Sequence, residues 1–315
     1  MFVFLGGMKE GVVYRSTGSW YSVKTSEGFF DCRIKGKIRL EGIKSTNPIA
    51  VGDRVRLEAD PQNPQQGVIH EILERKNYII RRSVNLSKQT HIIAANIDLA
   101  FLMVTLNNPV TSRSFIDRFL VSAQAYRIPV ILLFNKVDTY TAEEQSMLTA
   151  MQSVYTAIGY ETHCVSALRL QGIEPLKALM KGKVCMFSGH SGVGKSTLAN
   201  AIAPNLQLKT GRLSDAHAQG QHTTTFAEMF DLESDIRIVD TPGIRGFGVV
   251  DMSPEELSDY FPEFLACQQA CKFNNCLHLG EPACAVKAGV AEGRIAESRY
   301  HSYLQLLEED TPYRK

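Results

Sequence analysis

The chain has 315 residues, 44% hydrophobic and 21% charged, the make-up of a soluble globular protein with two or three domains. Its net charge of +1 hides an asymmetry: residues 1–90 carry 15 Lys/Arg against 9 Asp/Glu, the remainder 19 against 24, so a basic first domain is set to face a polyanion. No run reaches the length of a membrane span, the apolar opening Met1–Leu5 is cut off by Gly6-Gly7 before it could form a signal-peptide core, and Met8 is an equal candidate for the working start.

Residues 9–73 read as about five short strands around Val12–Tyr14, Trp20–Val23, Phe29–Ile34, Val55–Leu57 and Val68–Ile72, with Gly, Asn, Asp and Pro turns between them. That is the scale of a small barrel, and an OB-fold leads. Arg33, Lys35, Lys37 and Arg39 alternate, so on a strand they share one face. Such a face suits a nucleic-acid backbone, with Trp20, Tyr21 or Phe29 as stacking partners or as barrel filling. Glu74–Ser83 reads as a linker.

Ile97–Leu106 and Val130–Phe134 are continuous apolar runs, as in strands buried on both faces, and Phe115, Ile116, Phe119, Leu120 and Ala123 between them recur at helical spacing. Strands alternating with helices imply a parallel sheet covered on both sides. Asn135-Lys136-Val137-Asp138 sits at the carboxyl end of the second strand, where open α/β sheets place ligands. This N-K-x-D spacing resembles the guanine-reading motif of GTPases. A carboxylate at Asp138 accepts from guanine N1–H and the exocyclic amine, whereas adenine would leave it buried and unpaired. Asn135 braces the loop, and the Lys136 stem covers the ring face. A helix is expected over 142–158. A strand then ends at Ser166-Ala167-Leu168, which resembles the S-A-[KL] loop whose backbone supports guanine O6.

Gly189-His190-Ser191-Gly192-Val193-Gly194-Lys195-Ser196-Thr197 follows the apolar run 183–187 and opens a helical pattern, the context a G-x-x-x-x-G-K-[ST] phosphate loop needs. Its glycines let backbone N–H groups point inward at a helix N-terminus. Lys195 reaches the β- and γ-phosphates, and the Ser196 hydroxyl ligates Mg²⁺. Further on, His222-Thr223-Thr224-Thr225 reads as a switch loop, with Thr224 favoured among its neighbours as the Mg²⁺ ligand. Asp240-Thr241-Pro242-Gly243 follows a strand, so that Asp240 holds Mg²⁺ through water and the Gly243 N–H senses the γ-phosphate.

Seven cysteines without an export signal point to a reducing, cytoplasmic setting, where metal binding outweighs disulfides. Cys271, Cys276, His278 and Cys284 fit a closed structural zinc site, with Cys267 as the spare. An amphipathic helix over 295–307 ends the chain.

The guanine motifs precede the phosphate loop and the DTPG segment, the reverse of the ordinary order, so the GTPase module is circularly permuted. A parallel sheet tolerates this because all five loops still gather at its carboxyl edge. With the barrel ahead and the cysteine module behind, the whole chain resembles the RsgA (YjeQ/YloQ) family of circularly permuted GTPases. The resemblance implies an OB-fold domain over 1–76, a GTPase domain over 77–250 and a zinc-binding, mainly helical domain over 251–315. It also implies GTP/GDP with Mg²⁺, one structural Zn²⁺, a monomer acting late in small-subunit maturation, contacts to ribosomal RNA, and subunit-stimulated hydrolysis. Family members carry an Arg where this chain has Gln221. Ile244 stands where many GTPases carry a water-orienting Gln, which makes His222 a candidate for that role alongside a merely packing one. Switch movement is expected to re-aim the zinc module. Rival readings are an adenine-specific ATPase or kinase, against which Asp138 speaks, and a zinc-dependent RNA-binding module with a vestigial nucleotide site.

Overall fold

Residues 7–36, 48–82, 90–204, 227–232, 235–240 and 252–309 are described in a computed structural model of the chain. It divides into two compact units, Met1–Ala100 with Glu174–Phe187 and Lys195–Ile244, and Phe101–Ile173 with Ser188–Gly194 and Arg245–Lys315.

In the first unit, period-2 alternation drives strand formation. In β3 (Gly28–Ile34) Phe30 and Cys32 turn inward while Phe29, Asp31 and Arg33 stay exposed. β1 (Lys9–Ser16), β2 (Tyr21–Thr25), β3, β5 (Gln66–Ile72) and β4 (Arg54–Ala59) lie in that order. β4 pairs back onto β1, which closes a barrel, and β3 runs parallel to β5. Val13, Tyr21, Val23, Leu57 and Ile69 are among the side chains filling it. The expected linker is in part a hairpin: β6 (Tyr78–Arg82) pairs with β7 (Thr90–Ala95).

Beyond the barrel, β11 (Val184–Ser188) runs parallel to β13 (Ile236–Asp240), which pairs antiparallel with β12 (Glu228–Leu232). The expected all-parallel sheet is therefore mixed. β12 in turn meets β1, with Arg15 opposite Glu228, so barrel and sheet are continuous in this unit. Tyr14 donates to Asp231 at 2.6 Å, and Lys24 pairs with the same carboxylate.

In the second unit, β8 (Leu99–Val104, entering from the first unit), β9 (Val130–Phe134) and β10 (Glu161–Cys164) lie side by side, β9 and β10 parallel. β8 and β9 are buried at every position, as their unbroken apolar runs require. α1 (Arg113–Ala125) starts at an N-cap, Ser112, and α2 (Ala142–Ala157) at a capping box of Thr141 and Glu144. The C-terminal module is built from α5 (Pro262–Leu265), α6 (Ala285–Ala291) and α7 (Glu297–Glu309). Its core of Phe261, Phe264, Val286, Ile295 and Tyr303 also takes in Val121 of α1. Beneath it, the fully buried Arg299 donates to Asp117 of α1 and to Glu263, each at 2.6 Å, and Tyr155 of α2 donates to Asp117 at 2.9 Å. Burial pushes the Asp117 carboxyl up, and the Arg299 guanidinium pulls it back down. No described helix is long and apolar enough to cross a membrane.

Candidate functional site

Three of the sequence motifs converge on one buried side chain. Asn135, at the end of β9, is 1% exposed. Its Nδ2 donates to the Val193 carbonyl at 2.7 Å, and its Oδ1 accepts the Ala167 N–H at 3.1 Å. One carboxamide thus joins the N-K-x-D segment, the phosphate loop and the Ser166–Leu168 loop. Lys136, in the left-handed region at φ 65°, donates to the Gly192 carbonyl at 2.8 Å and to the Asn108 carbonyl. Tyr140 braces the corner from behind, donating to the Asn135 carbonyl at 2.8 Å and accepting from Leu106 N–H at 3.1 Å. Sequence reasoning missed that brace, for a lone Tyr after the motif carries no spacing signal.

The phosphate loop is close-fitting. A Cβ on Gly194 would stand 2.4 Å from Asn135 Nδ2, and one on Gly189 2.7 Å from the Met103 carbonyl. Both glycines have positive φ, 101° and 140°, so no other residue fits either place. The His190 ring packs on Phe115, 3.8 Å between centroids. Val193 is fully buried. The Asp138 carboxylate, 18% exposed, has the Arg169 guanidinium 3.8 Å away. Ser166 is buried, and its hydroxyl accepts the Arg169 N–H at 3.1 Å. Leu168 is 76% exposed, so its side chain adds nothing to the core.

The loop passes directly into α4 (Lys195–Ile202) in the first unit. There the Ser196 hydroxyl is buried without a partner among the described residues. An orphaned hydroxyl at the start of a helix fits a ligand to Mg²⁺ accompanying a phosphate. Thr197 follows it into the helix. Asp240 ends β13 at the same edge as the carboxyl end of β11, with Met186 opposite Val239. His222, Thr224 and Gly243 lie outside the described residues.

Cys271, Cys276, His278 and Cys284 bring their ligand atoms within 4.8 Å of one another, close enough to gather round one zinc ion with its sulfur ligands about 2.3 Å away. His278 Nδ1 lies 3.4 Å from Cys284 Sγ and 3.8 Å from Cys271 Sγ. Backbone N–H groups of Ala285 and Lys287, at the start of α6, point at the sulfurs of Cys271 and Cys284, a placement that favours thiolate. Burial and the neighbouring thiols push Cys276 up to about 12, and burial holds His278 neutral by lowering its pKa. Without a cation such a cluster resists ionising, and with one it becomes a ligand set. Tyr300 and Tyr303 donate to the carbonyls of His278 and Leu277, and Glu281 accepts from Leu277 and Leu279, so the ligand loop is pinned all round. Cys267 stands outside the quartet, its thiol donating to the Glu263 carbonyl.

On the barrel, Tyr21 is 1% exposed and belongs to the core, leaving Phe29, 51% exposed, and the half-buried Trp20 on the outer face. Arg33 stacks on Trp20 at 4.0 Å. Lys35 lies just past β3, and Lys37 and Arg39 fall outside the described residues.

Comparison with known proteins places this arrangement. The family model described as RsgA GTPase matches residues 72–250, and that of the RsgA N-terminal domain matches residues 10–69. A Christiangramia forsetii protein named small ribosomal subunit biogenesis GTPase RsgA is 59% identical over 308 residues, covering 97% of this chain and 98% of that one. A Porphyromonas gingivalis protein of the same name is 51% identical, with 97% and 98% covered. Among solved structures, YjeQ from Thermotoga maritima superposes with a TM-score of 0.80 at 35% identity, covering 98% and 100%. YloQ, a circularly permuted GTPase, gives 0.76 at 28% identity with both chains fully covered.

Proposed function

This chain belongs to the RsgA family of GTPases, and we propose that it binds the small ribosomal subunit and hydrolyses GTP late in that subunit's maturation, in the cytoplasm and as a monomer. The observation that carries the nucleotide reading is the Asn135 contact. Asn135, three residues before Asp138, touches Gly194, the residue before Lys195. The N-K-x-D segment and residues 189–194 of the phosphate loop therefore meet within one unit, which supports a single nucleotide site despite their reversed order along the chain.

In that site Asp138 accepts from guanine N1–H and the exocyclic amine, and the Arg169 guanidinium that now faces it yields to the base. The backbone of Ser166–Leu168 supports O6. The N–H groups of residues 189–194 cradle the phosphates, and Lys195 neutralises the charge that grows on the β–γ bridging oxygen as it breaks. Ser196, Thr224 and Asp240 would hold a Mg²⁺ ion, which would supply further charge neutralisation. His222 is the candidate for orienting the attacking water, since Ile244 cannot. Zinc at Cys271, Cys276, His278 and Cys284 is structural, because four protein ligands leave no open position.

Coupling to RNA contacts runs through the barrel. β12 begins shortly after Thr225 in the sequence and is hydrogen-bonded to β1, with Asp231 tied to Tyr14 and Lys24. The zinc module, by contrast, is locked to α1 and α2 through Arg299, Asp117 and Tyr155, on the guanine-reading side. We therefore place the coupling in the barrel rather than in the zinc module. A buried ion cluster does not slide, whereas a strand leading out of a switch loop can shift. GTP turnover measured with and without purified small subunits tests the proposal. Stimulation is expected, and equal rates overturn it.

A further inference from the structure

Where β12 meets the barrel, the outer faces of β1–β3 and β12 enclose a cleft of about 500 Å³. Its walls carry the rings of Tyr14, Trp20, Phe29 and Phe230 and the carboxylates of Asp31 and Glu228. Tyr14 sets its edge against Phe29, 5.2 Å between centroids, and is fixed by its bond to Asp231, so the aromatic wall is preorganised. Phe29 nevertheless stays half exposed. The cations at the rim are already directed: Lys24 pairs with Asp231 and reaches over Phe29, and Arg33 lies on Trp20. Neither Asp31 nor Glu228 makes an ion pair among the described residues.

We propose that this cleft takes one unpaired nucleobase of single-stranded RNA, and that it favours a base offering amine and ring N–H donors, guanine above all, over uracil. The inference rests on the reading of the barrel as an RNA-facing domain and deepens it. Three features carry it. The half-exposed Phe29 ring, backed by the buried Tyr14, gives a base a stacking surface that any base can use. Lys24, Arg33 and Arg15 at the rim suit the flanking phosphates. The unpaired carboxylates accept from guanine's N1–H and amine together, whereas uracil presents one N–H and two carbonyls that face them unfavourably. Two cleft walls, Phe230 and Glu228, belong to β12, so the base is read partly by the strand that leaves the switch loop.

Trp20 is the only tryptophan of the chain, so its fluorescence reports occupancy directly. Titrating the zinc-loaded full-length protein with a hexauridine RNA and with the same hexamer carrying one central guanosine should quench Trp20, the guanosine hexamer binding about tenfold tighter, as one discriminated base contact gives. Phe29→Ala should weaken both hexamers about tenfold, the loss of one stacking platform. Asp31→Asn with Glu228→Gln should tighten hexauridine binding and erase the preference for guanosine. Equal affinity for the two hexamers, or quenching by an oligoarginine peptide and by neither RNA, overturns the inference. Small-subunit-stimulated GTP turnover of the unmutated protein, measured alongside, tells its failure from a failure of the proposed function.

Discussion

Replacing Asn135 by Ala removes the carboxamide on which the nucleotide corner depends, and its cost can be worked out from two bonds. The Val193 carbonyl and the Ala167 N–H would lose partners at 2.7 and 3.1 Å in a site that is 1% exposed. A buried polar group left unpaired costs roughly 1–3 kcal/mol, so the pair amounts to about 2–6 kcal/mol. Part of this falls on stability. The rest falls on nucleotide affinity, because the phosphate loop and the Ser166–Leu168 loop must be held in register to touch one ligand. With about 1.4 kcal/mol per factor of ten, affinity for a fluorescent GDP should drop by roughly ten- to a hundredfold. Asn135→Asp should be at least as damaging, since it keeps the acceptor for Ala167 but turns a carboxylate oxygen onto the Val193 carbonyl. Gly194→Ala attacks the same contact from the other side, its Cβ 2.4 Å from Nδ2. In the Asn135→Ala background that substitution should cost less than alone, a non-additivity expected of touching residues. GDP titration and thermal unfolding of the four proteins decide the matter. If Asn135→Ala binds GDP within about twofold of the native protein and unfolds at the same temperature, the reasoning about the corner is wrong.

The remaining expectations concern the base, the metal, the buried ions and the water. Asp138→Asn should weaken GTP by at least about a hundredfold, through two unpaired base donors, and should improve binding of the xanthine nucleotide; unchanged GTP affinity by calorimetry would refute the assignment. The purified protein should carry one zinc per chain by elemental analysis, lost in Cys276→Ala and retained in Cys267→Ser; zinc loss in the latter would put Cys267 in the ligand set. Arg299→Met should lower unfolding free energy by about 3–5 kcal/mol, since it strands two buried carboxylates, and adding Asp117→Asn should recover part of that in denaturant titrations. His222→Ala should abolish subunit-stimulated turnover with little change in GDP affinity; full stimulated turnover would remove His222 from the mechanism.

What the sequence disclosed, it disclosed through backbone demands and period. The phosphate-loop glycines are legible because the fold tolerates nothing larger, as the 2.4 Å and 2.7 Å approaches at Gly194 and Gly189 show. The buried strands β8 and β9 are legible because both faces are apolar, and the metal quartet because thiols and an imidazole at short spacing have few other uses. What stayed hidden depends on contacts distant in sequence. Asp117 and Arg299 are 182 residues apart, and each reads alone as a charged residue on an amphipathic helix. The pairing of β12 with β1 has no local signature at all, although it joins the barrel to the strand beyond the switch loop. Which of Trp20 and Tyr21 fills the barrel stayed open for a simpler reason. Trp20 and Tyr21 are adjacent, alternation sends one in and one out, and composition cannot say which.

Everything turns on whether reordered loops make a single guanine site, and competition binding tests that directly. With a fluorescent GDP bound, unlabelled GDP should displace it stoichiometrically, while ADP at about a thousandfold excess should leave it in place, the discrimination expected when a buried carboxylate demands two donors. Equal displacement by ADP would contradict the account, because Asp138 would then not be reading the base.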